Sequence, residues 1–155
     1  IRDDLLWGDQ QASDEDLMAA AETARALDVI ASKSKGLDEP VEQLGRNFSG
    51  GQKQRLSIAR TLARKPRILI LDDSSSALDF ATDAALRKAI RRDLKGATVL
   101  VISQRVTTIK NADRILVLDD GKMAGFDTHE KLLRECPLYR EICLSQLSEK
   151  EALEA

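Results

Sequence analysis

The sequence predicts an α/β fold with a mostly parallel sheet, preceded by a helical segment that contains no strand. Three observations carry this. Short apolar runs, "ILIL" at Ile68–Leu71, "ATVLVI" at Ala97–Ile102 and "ILVL" at Ile115–Leu118, are each bounded by polar or turn-forming residues. Helical spacing fills the interval between the first two runs, and strand–helix–strand alternation argues for crossover connections. The first thirty-odd residues show helical spacing alone.

Taken in order, residues 1–7 read as a short helix. Ser13 is placed to cap a second helix whose first turn carries Asp14, Glu15 and Asp16. Leu17, Ala20, Ala21, Ala24 and Leu27 then mark one helical face. Residues 31–48 are polar and contain Gly36, Pro40 and Gly45, so they read as loop. Ser49-Gly50-Gly51 opens a helix to about Arg64, with Arg60, Arg64 and Lys65 at its negative end. The Arg67–Asp72 run, set between Pro66 and a polar cluster, reads as a strand buried on both faces. A helix over roughly 80–94 follows, with Ala81, Ala85, Ile90 and Leu94 toward its buried side, and Gly96 ends it. Ala97–Ile102 is expected to be a second buried strand, and Arg105–Lys110 a short helix. Asp120-Gly121 is a tight-turn signal between strands at Ile115–Leu118 and Lys122–Phe126. Thr128–Glu135 and Leu138–Gln146 close the chain as helices, and the terminal "SEKEALEA" is expected to be frayed or helical.

At 155 residues and 43% apolar content, the chain is about one domain long and can build a core. Its 24 basic and 26 acidic residues give no case for a nucleic-acid or anionic-membrane surface. The longest apolar runs are about six residues, against the roughly 20 that span a bilayer. No targeting signal opens the sequence. Cys136 and Cys143 read as two buried thiols in a helical tail, without the companions a zinc site needs. His129, the one histidine, follows the capping Thr128 and is expected at the surface.

Two stretches carry chemistry. "NFSGGQKQR", Asn47 to Arg55, has the makings of an anion cradle. Ser49 can cap the helix or donate its hydroxyl, and Gly50 and Gly51 let backbone approach a phosphate. "RILILDDSSSALD" ends an apolar strand in Asp72 and Asp73. Carboxylates at the carboxyl edge of a parallel sheet are well placed to hold a metal ion.

Together these stretches resemble the ABC-type ATPases. "FSGGQ" is similar to their LSGGQ signature, with Phe48 in place of Leu. "ILILDD" resembles their Walker B strand, "SALD" at Ser76–Asp79 their D-loop, and "VLVISQR" the switch strand that usually ends in His. "ADRILVLDDGKMAGFDTHEKLL" resembles the segment that closes the domain in ABC exporters, and "IRDDLLWGD" the segment past their Q-loop. "VEQLGRN" resembles the exporters' cross-domain loop, with Gln43 where an acid is usual. The resemblance runs from about Ile1 to Gln146 and implies the C-terminal part of a P-loop NTPase (RecA-like) core plus part of the ABC helical subdomain. The implied division is 1–48 (helical subdomain and loop), 49–128 (signature helix and second half of the core) and 129–155 (C-terminal helices).

No G-x-x-x-x-G-K-[ST] loop is present in these residues. The resemblance therefore implies a piece of a longer chain, inactive alone, that exposes sheet edges and an apolar face. In the family two such domains meet head to tail around ATP and Mg²⁺. Asn47, Phe48, Ser49, Gly50, Gly51 and Gln52, with Ser76 and Asp79, would then contact nucleotide. Asp72 would hold Mg²⁺, while Asp73 and Gln104 would stand where the catalytic Glu and the switch His usually stand. Asp73 is one methylene short, and Gln104 cannot carry charge or shuttle a proton. The resemblance thus implies the degenerate-site subunit of a heterodimeric exporter at the cytoplasmic face of the plasma (inner) membrane, partnered by a second nucleotide-binding domain and a membrane domain. A non-hydrolysing regulatory subunit is one alternative. A chromosome-maintenance ATPase head is another, and the lack of heptads in residues 1–48 weighs against it.

Overall fold

The computed structural model describes residues 1–74 and 76–146. The expectation for "SEKEALEA" lies outside the described residues, as does the end of the 129–155 segment. The chain divides into two compact units, residues 1–100 and 101–155.

The first unit opens with a helical layer: α1 (Arg2–Leu6), α2 (Asp14–Thr23) and α3 (Leu27–Ala31). Ser13 caps α2 through a reciprocal box in which its hydroxyl accepts from Asp16 N–H and the Asp16 carboxylate accepts from Ser13 N–H. Leu17, Ala20 and Ala21 are buried as their spacing predicts, but the helix is shorter than that pattern. It stops at Thr23 because Arg25 takes a left-handed φ of 58°, and Leu27 starts α3 instead. The 31–48 loop contains two single 3₁₀ turns, at Gly36–Asp38 and Gln43–Gly45.

Helix α4 (Gly50–Ala63) is the spine of this unit, with Leu56, Ile58, Ala59, Leu62 and Ala63 buried. Ion pairs tie it and its end to the helical layer: Arg60 to Asp4 at 3.0 Å, Arg55 to Asp28 at 2.7 Å and Lys65 to Asp16 at 2.7 Å. The closest approach is Gly8, where an added Cβ would lie 2.0 Å from the Arg60 carbonyl oxygen.

Strand β1 (Ile68–Asp72), helix α5 (Phe80–Asp93) and strand β2 (Thr98–Ile102) follow, and β1 and β2 are hydrogen-bonded neighbours. Burial on both faces is not what the strands show. Leu69 and Leu71 are buried, while Ile68 and Ile70 alternate with them at 67% and 59% exposure. Strand β2 is mostly exposed as well. No described residue covers that side, so a continuous apolar run is buried only where the pleat turns it inward. An exposed apolar sheet face is what the resemblance implies. Of the residues expected toward the buried side of α5, Ile90 is buried, Ala85 and Leu94 are half-buried and Ala81 is exposed; Asp83, Leu86 and Ala89 complete the buried face, with Asp83 paired to Arg87 at 3.0 Å.

The second unit holds α6 (Val106–Ile109), the antiparallel hairpin β3 (Ile115–Asp119) and β4 (Lys122–Asp127), α7 (His129–Glu135) and α8 (Pro137–Gln146). Asp120 and Gly121 both have positive φ, 45° and 73°, which is the two-residue turn the sequence signals. The core is Val106, Ile115, Val117, Leu132, Cys136, Tyr139 and Cys143. Both cysteines are buried and free, as expected. Cys136 sits between α7 and α8 rather than within one tail helix.

His129 corrects the surface expectation. It is 3% exposed, its Nδ1 lies 2.8 Å from the Tyr139 hydroxyl, and the two rings meet edge to face. Helix α8 turns Tyr139 back over the first turn of α7, and that tertiary contact overrides the polar character of the position. No helix among the described residues is long and apolar enough to cross a membrane.

Candidate functional site

The site is built on the first turn of α4. Ser49 is the N-cap in extended conformation, its hydroxyl accepting from Gln52 N–H at 3.3 Å. The Gln52 side-chain oxygen accepts from Ser49 N–H at 2.9 Å. This box consumes two of the orphan donors of the helix start. The N–H groups of Gly50 and Gly51 have no partner among the described residues. Two free donors at the positive end of a 14-residue helix, beside a hydroxyl that still has a proton to give, make an anion cradle.

The loop after β1 lies against this turn. An added Cβ on Gly51 would meet the Ala77 carbonyl oxygen at 3.0 Å, and one on Gly50 the Ala77 Cβ at 3.7 Å. The glycines thus serve two purposes. They bare the backbone toward the cradle and admit Ala77 and Leu78 on the other side.

The carboxylates of Asp72 and Asp73 are exposed and engage no described residue. Asp72 is a free hard-oxygen ligand, suited to a cation that keeps waters and phosphate oxygens as its remaining ligands. No cluster of three metal-ligating side chains exists among the described residues. The donor set therefore fits an ion carried largely by a phosphate ligand, not a protein-caged one. Asp73 has φ of 44°, in the left-handed region. Its carbonyl accepts from Ser76 N–H at 3.2 Å.

Several of the residues expected to contact nucleotide also hold local structure. Both ends of the Asn47 amide are engaged, its oxygen by Glu42 N–H at 3.2 Å and its nitrogen by the Pro40 carbonyl at 2.8 Å. Phe48 is 6% exposed, under the Lys33 ammonium 4.2 Å from its ring centroid. Lys33 also donates to the Asn47 carbonyl at 2.7 Å. Asn47 and Phe48 therefore fix the approach to Ser49 from below. Asp79 caps α5, accepting from Thr82 N–H at 2.9 Å and from the Thr82 hydroxyl at 2.7 Å. Those bonds hold its carboxyl below the usual range. Ser76 is exposed on the same loop. Gln104 lies in the second unit, just before α6, with its side chain exposed and its carbonyl held by Gln146 Nε2 at 2.8 Å.

Sequence reasoning missed two residues. Gln54 bridges α4 to the 73–77 loop, and its position one turn beyond Gly50 was a readable signal. Lys33 is distant in sequence from Phe48, and no local pattern marks it.

A glycine-opened helix N-terminus beside an acid-tipped strand is an α/β arrangement suited to an anion. Comparison with known proteins narrows the class. The family model described as "ABC transporter" matches residues 3–76. An uncharacterized ABC transporter ATP-binding protein of Bacillus subtilis, YfiB, is 47% identical over 94% of this chain and 25% of its own length. The beta-(1→2)glucan export ATP-binding/permease protein NdvA of Rhodopseudomonas palustris is 41% identical over 100% of this chain and 26% of its own. The solved structure of a bacterial Atm1-family ABC exporter with ATP bound superposes with a TM-score of 0.90. It is 38% identical and is covered over 96% of this chain and 26% of that chain. The chain belongs to the ABC transporter ATP-binding family, and its α/β fold is that of part of an exporter-type nucleotide-binding domain. It spans about a quarter of the length of the curated relatives it matches.

Proposed function

We propose that this chain is part of the ATP-binding subunit of an ABC exporter and couples ATP binding and hydrolysis to transport across a membrane. It would work at the cytoplasmic face, joined to a membrane domain and to a second nucleotide-binding domain. The observation that supports this reading is the α4 turn, with two free N–H donors at Gly50 and Gly51 beside the Ser49 hydroxyl. This turn cradles phosphate oxygens of ATP held by the partner domain, and Gln52 keeps the cap in shape.

Asp72, Asp73 and Gln104 serve a different ATP, the one on this domain's own side. Bound Mg²⁺ supplies positive charge against the phosphates, with Asp72 as its carboxylate ligand. Asp73 orients the attacking water from one methylene too far back. A misplacement of about 1 Å can cost on the order of a hundredfold. Gln104 offers an amide hydrogen bond where a charged or proton-shuttling group would do more. Phosphoryl transfer depends almost wholly on positioning and electrostatics, so the two departures together nearly silence this site. The chain then contributes to turnover chiefly by lending its signature to a competent site shared with a hetero-partner.

The test is Asp73→Glu combined with Gln104→His in the full-length transporter. Turnover from the own-side site, read with the partner's site disabled, should rise from near zero. Absence of any gain refutes the degenerate-site reading and favours a non-hydrolysing regulatory subunit.

A further inference from the structure

One side chain joins the two halves of the site. Gln54 Nε2 donates to the Asp73 carbonyl at 3.4 Å, and its Oε1 accepts from Ala77 N–H at 3.1 Å. The amide orientation is fixed by its partners, since a flip would face donor to donor and acceptor to acceptor. Ala77 is held through its N–H by Gln54, and its carbonyl oxygen lies beside Gly51, 3.0 Å from where a Cβ there would stand. Gln54 lies four residues beyond Gly50, on the same helical face. One face of α4 thus carries the cradle at its tip and the clasp one turn below.

We infer that Gln54 is a positioning residue: by clasping Asp73 and Ala77 with one amide, it locks the phosphate-cradling turn of α4 in register with the acidic loop. The inference rests on the signature role proposed above. In that reading Ser49–Gly51 and Asp72–Asp73 serve ATP at two different sites. The clasp makes them move as one body, so occupancy of one site sets the geometry of the other. Both bonds are solvent-accessible and individually weak. Helix α4 is capped by Ser49 and packed through Leu56, Ala59 and Leu62 without them. Gln54 therefore contributes little to folding and much to register.

The experiment uses the full-length transporter with its partner domain. Gln54→Leu keeps the side chain's bulk and removes both bonds. Its kcat should fall about tenfold, as a sub-ångström shift of the loop would give, with the KM for ATP and the thermal midpoint unchanged. Gln54→Glu keeps an acceptor for Ala77 N–H and loses the donor, so its kcat should be intermediate. Gly51→Asp, run alongside, should abolish turnover. Wild-type kcat in Gln54→Leu, with Gly51→Asp silent, overturns the clasp and leaves the signature role standing. A kcat loss matched by a fall in thermal midpoint or a rise in KM also overturns it, because a merely structural residue behaves that way. Full activity in Gly51→Asp overturns both.

Discussion

Gly51→Ala separates the two purposes of the signature glycine. The new Cβ would sit 3.0 Å from the Ala77 carbonyl oxygen, where ordinary contacts begin near 3.4 Å. The neighbour is backbone and cannot swing away, so the Ala77 backbone must retreat by the difference, about 0.4 Å. If about 1 Å costs a hundredfold, a log-linear scale gives roughly sixfold for that shift. Folding stability should not follow. Alanine in the first turn of a helix gains about 0.5–1 kcal/mol over glycine, which offsets a small steric cost. Steady-state ATPase turnover of the full-length transporter, with the thermal midpoint measured on the same sample, reads both quantities. Reduced kcat at an unchanged or higher midpoint is the expected pair. Turnover within twofold of the parent would refute the idea that the loop's contact with Gly51 sets the geometry of the reaction. A lowered midpoint would mean that the contact carries structure, not register.

Two further outcomes concern the scaffold. Gly8→Ala drives a Cβ to 2.0 Å from the Arg60 carbonyl oxygen, so α1 must lift from α4 and strain the Asp4–Arg60 pair. Denaturant titration should show a loss of about 2–3 kcal/mol, and a loss under 0.5 kcal/mol would contradict the packing. The second unit should be acid-labile. Burial holds the His129 pKa below its ordinary 6.5, reinforced by Lys110 and opposed by Glu130. The unfolded chain therefore binds the proton first, so stability is full above about 6.5 and falls as pH drops below it. Absorbance of Tyr139, the single tyrosine, should report unfolding at lower denaturant as pH falls from 7 to 5. A flat profile, or His129→Gln keeping the full slope, would rule His129 out as the cause.

Local signals were legible wherever a residue's partner was close in sequence. The Ser49 cap, the Ser13 cap and the Asp120-Gly121 turn all appear where the sequence signals them. Their geometry is set within three or four residues. Misreadings occurred where distant chain decides. His129 looks like a surface residue until Tyr139 closes over it. Ile68 and Ile70 look buried because a continuous apolar run reads as two-sided burial, yet burial depends on what covers each face. Asn47 and Asp79 sit inside the recognisable motifs, and their side chains also hold a loop and cap a helix, which their motif positions alone do not announce.

Asp73 shows how sequence and backbone explain one departure in different ways. From the sequence, Asp for Glu is a carboxylate drawn back by one methylene. The backbone adds that residue 73 has φ of 44°, with its carbonyl turned to meet Ser76 N–H and Gln54 Nε2. Left-handed backbone costs an L-residue about 1–2 kcal/mol, and Asp is found there more often than longer side chains. A short acid and a loop pinned back toward α4 therefore suit each other. Glu introduced at 73 would restore reach and would also bear the strain of that conformation. The clasp by Gln54 is what holds the residue there. In the Asp73→Glu, Gln104→His variant, adding Gln54→Leu would release the loop from its left-handed turn. If the clasp enforces that turn, the triple variant should hydrolyse ATP at its own-side site faster than the double variant, while the signature's contribution to the partner site falls. Equal own-side rates would mean that the strain at residue 73 is not imposed by α4.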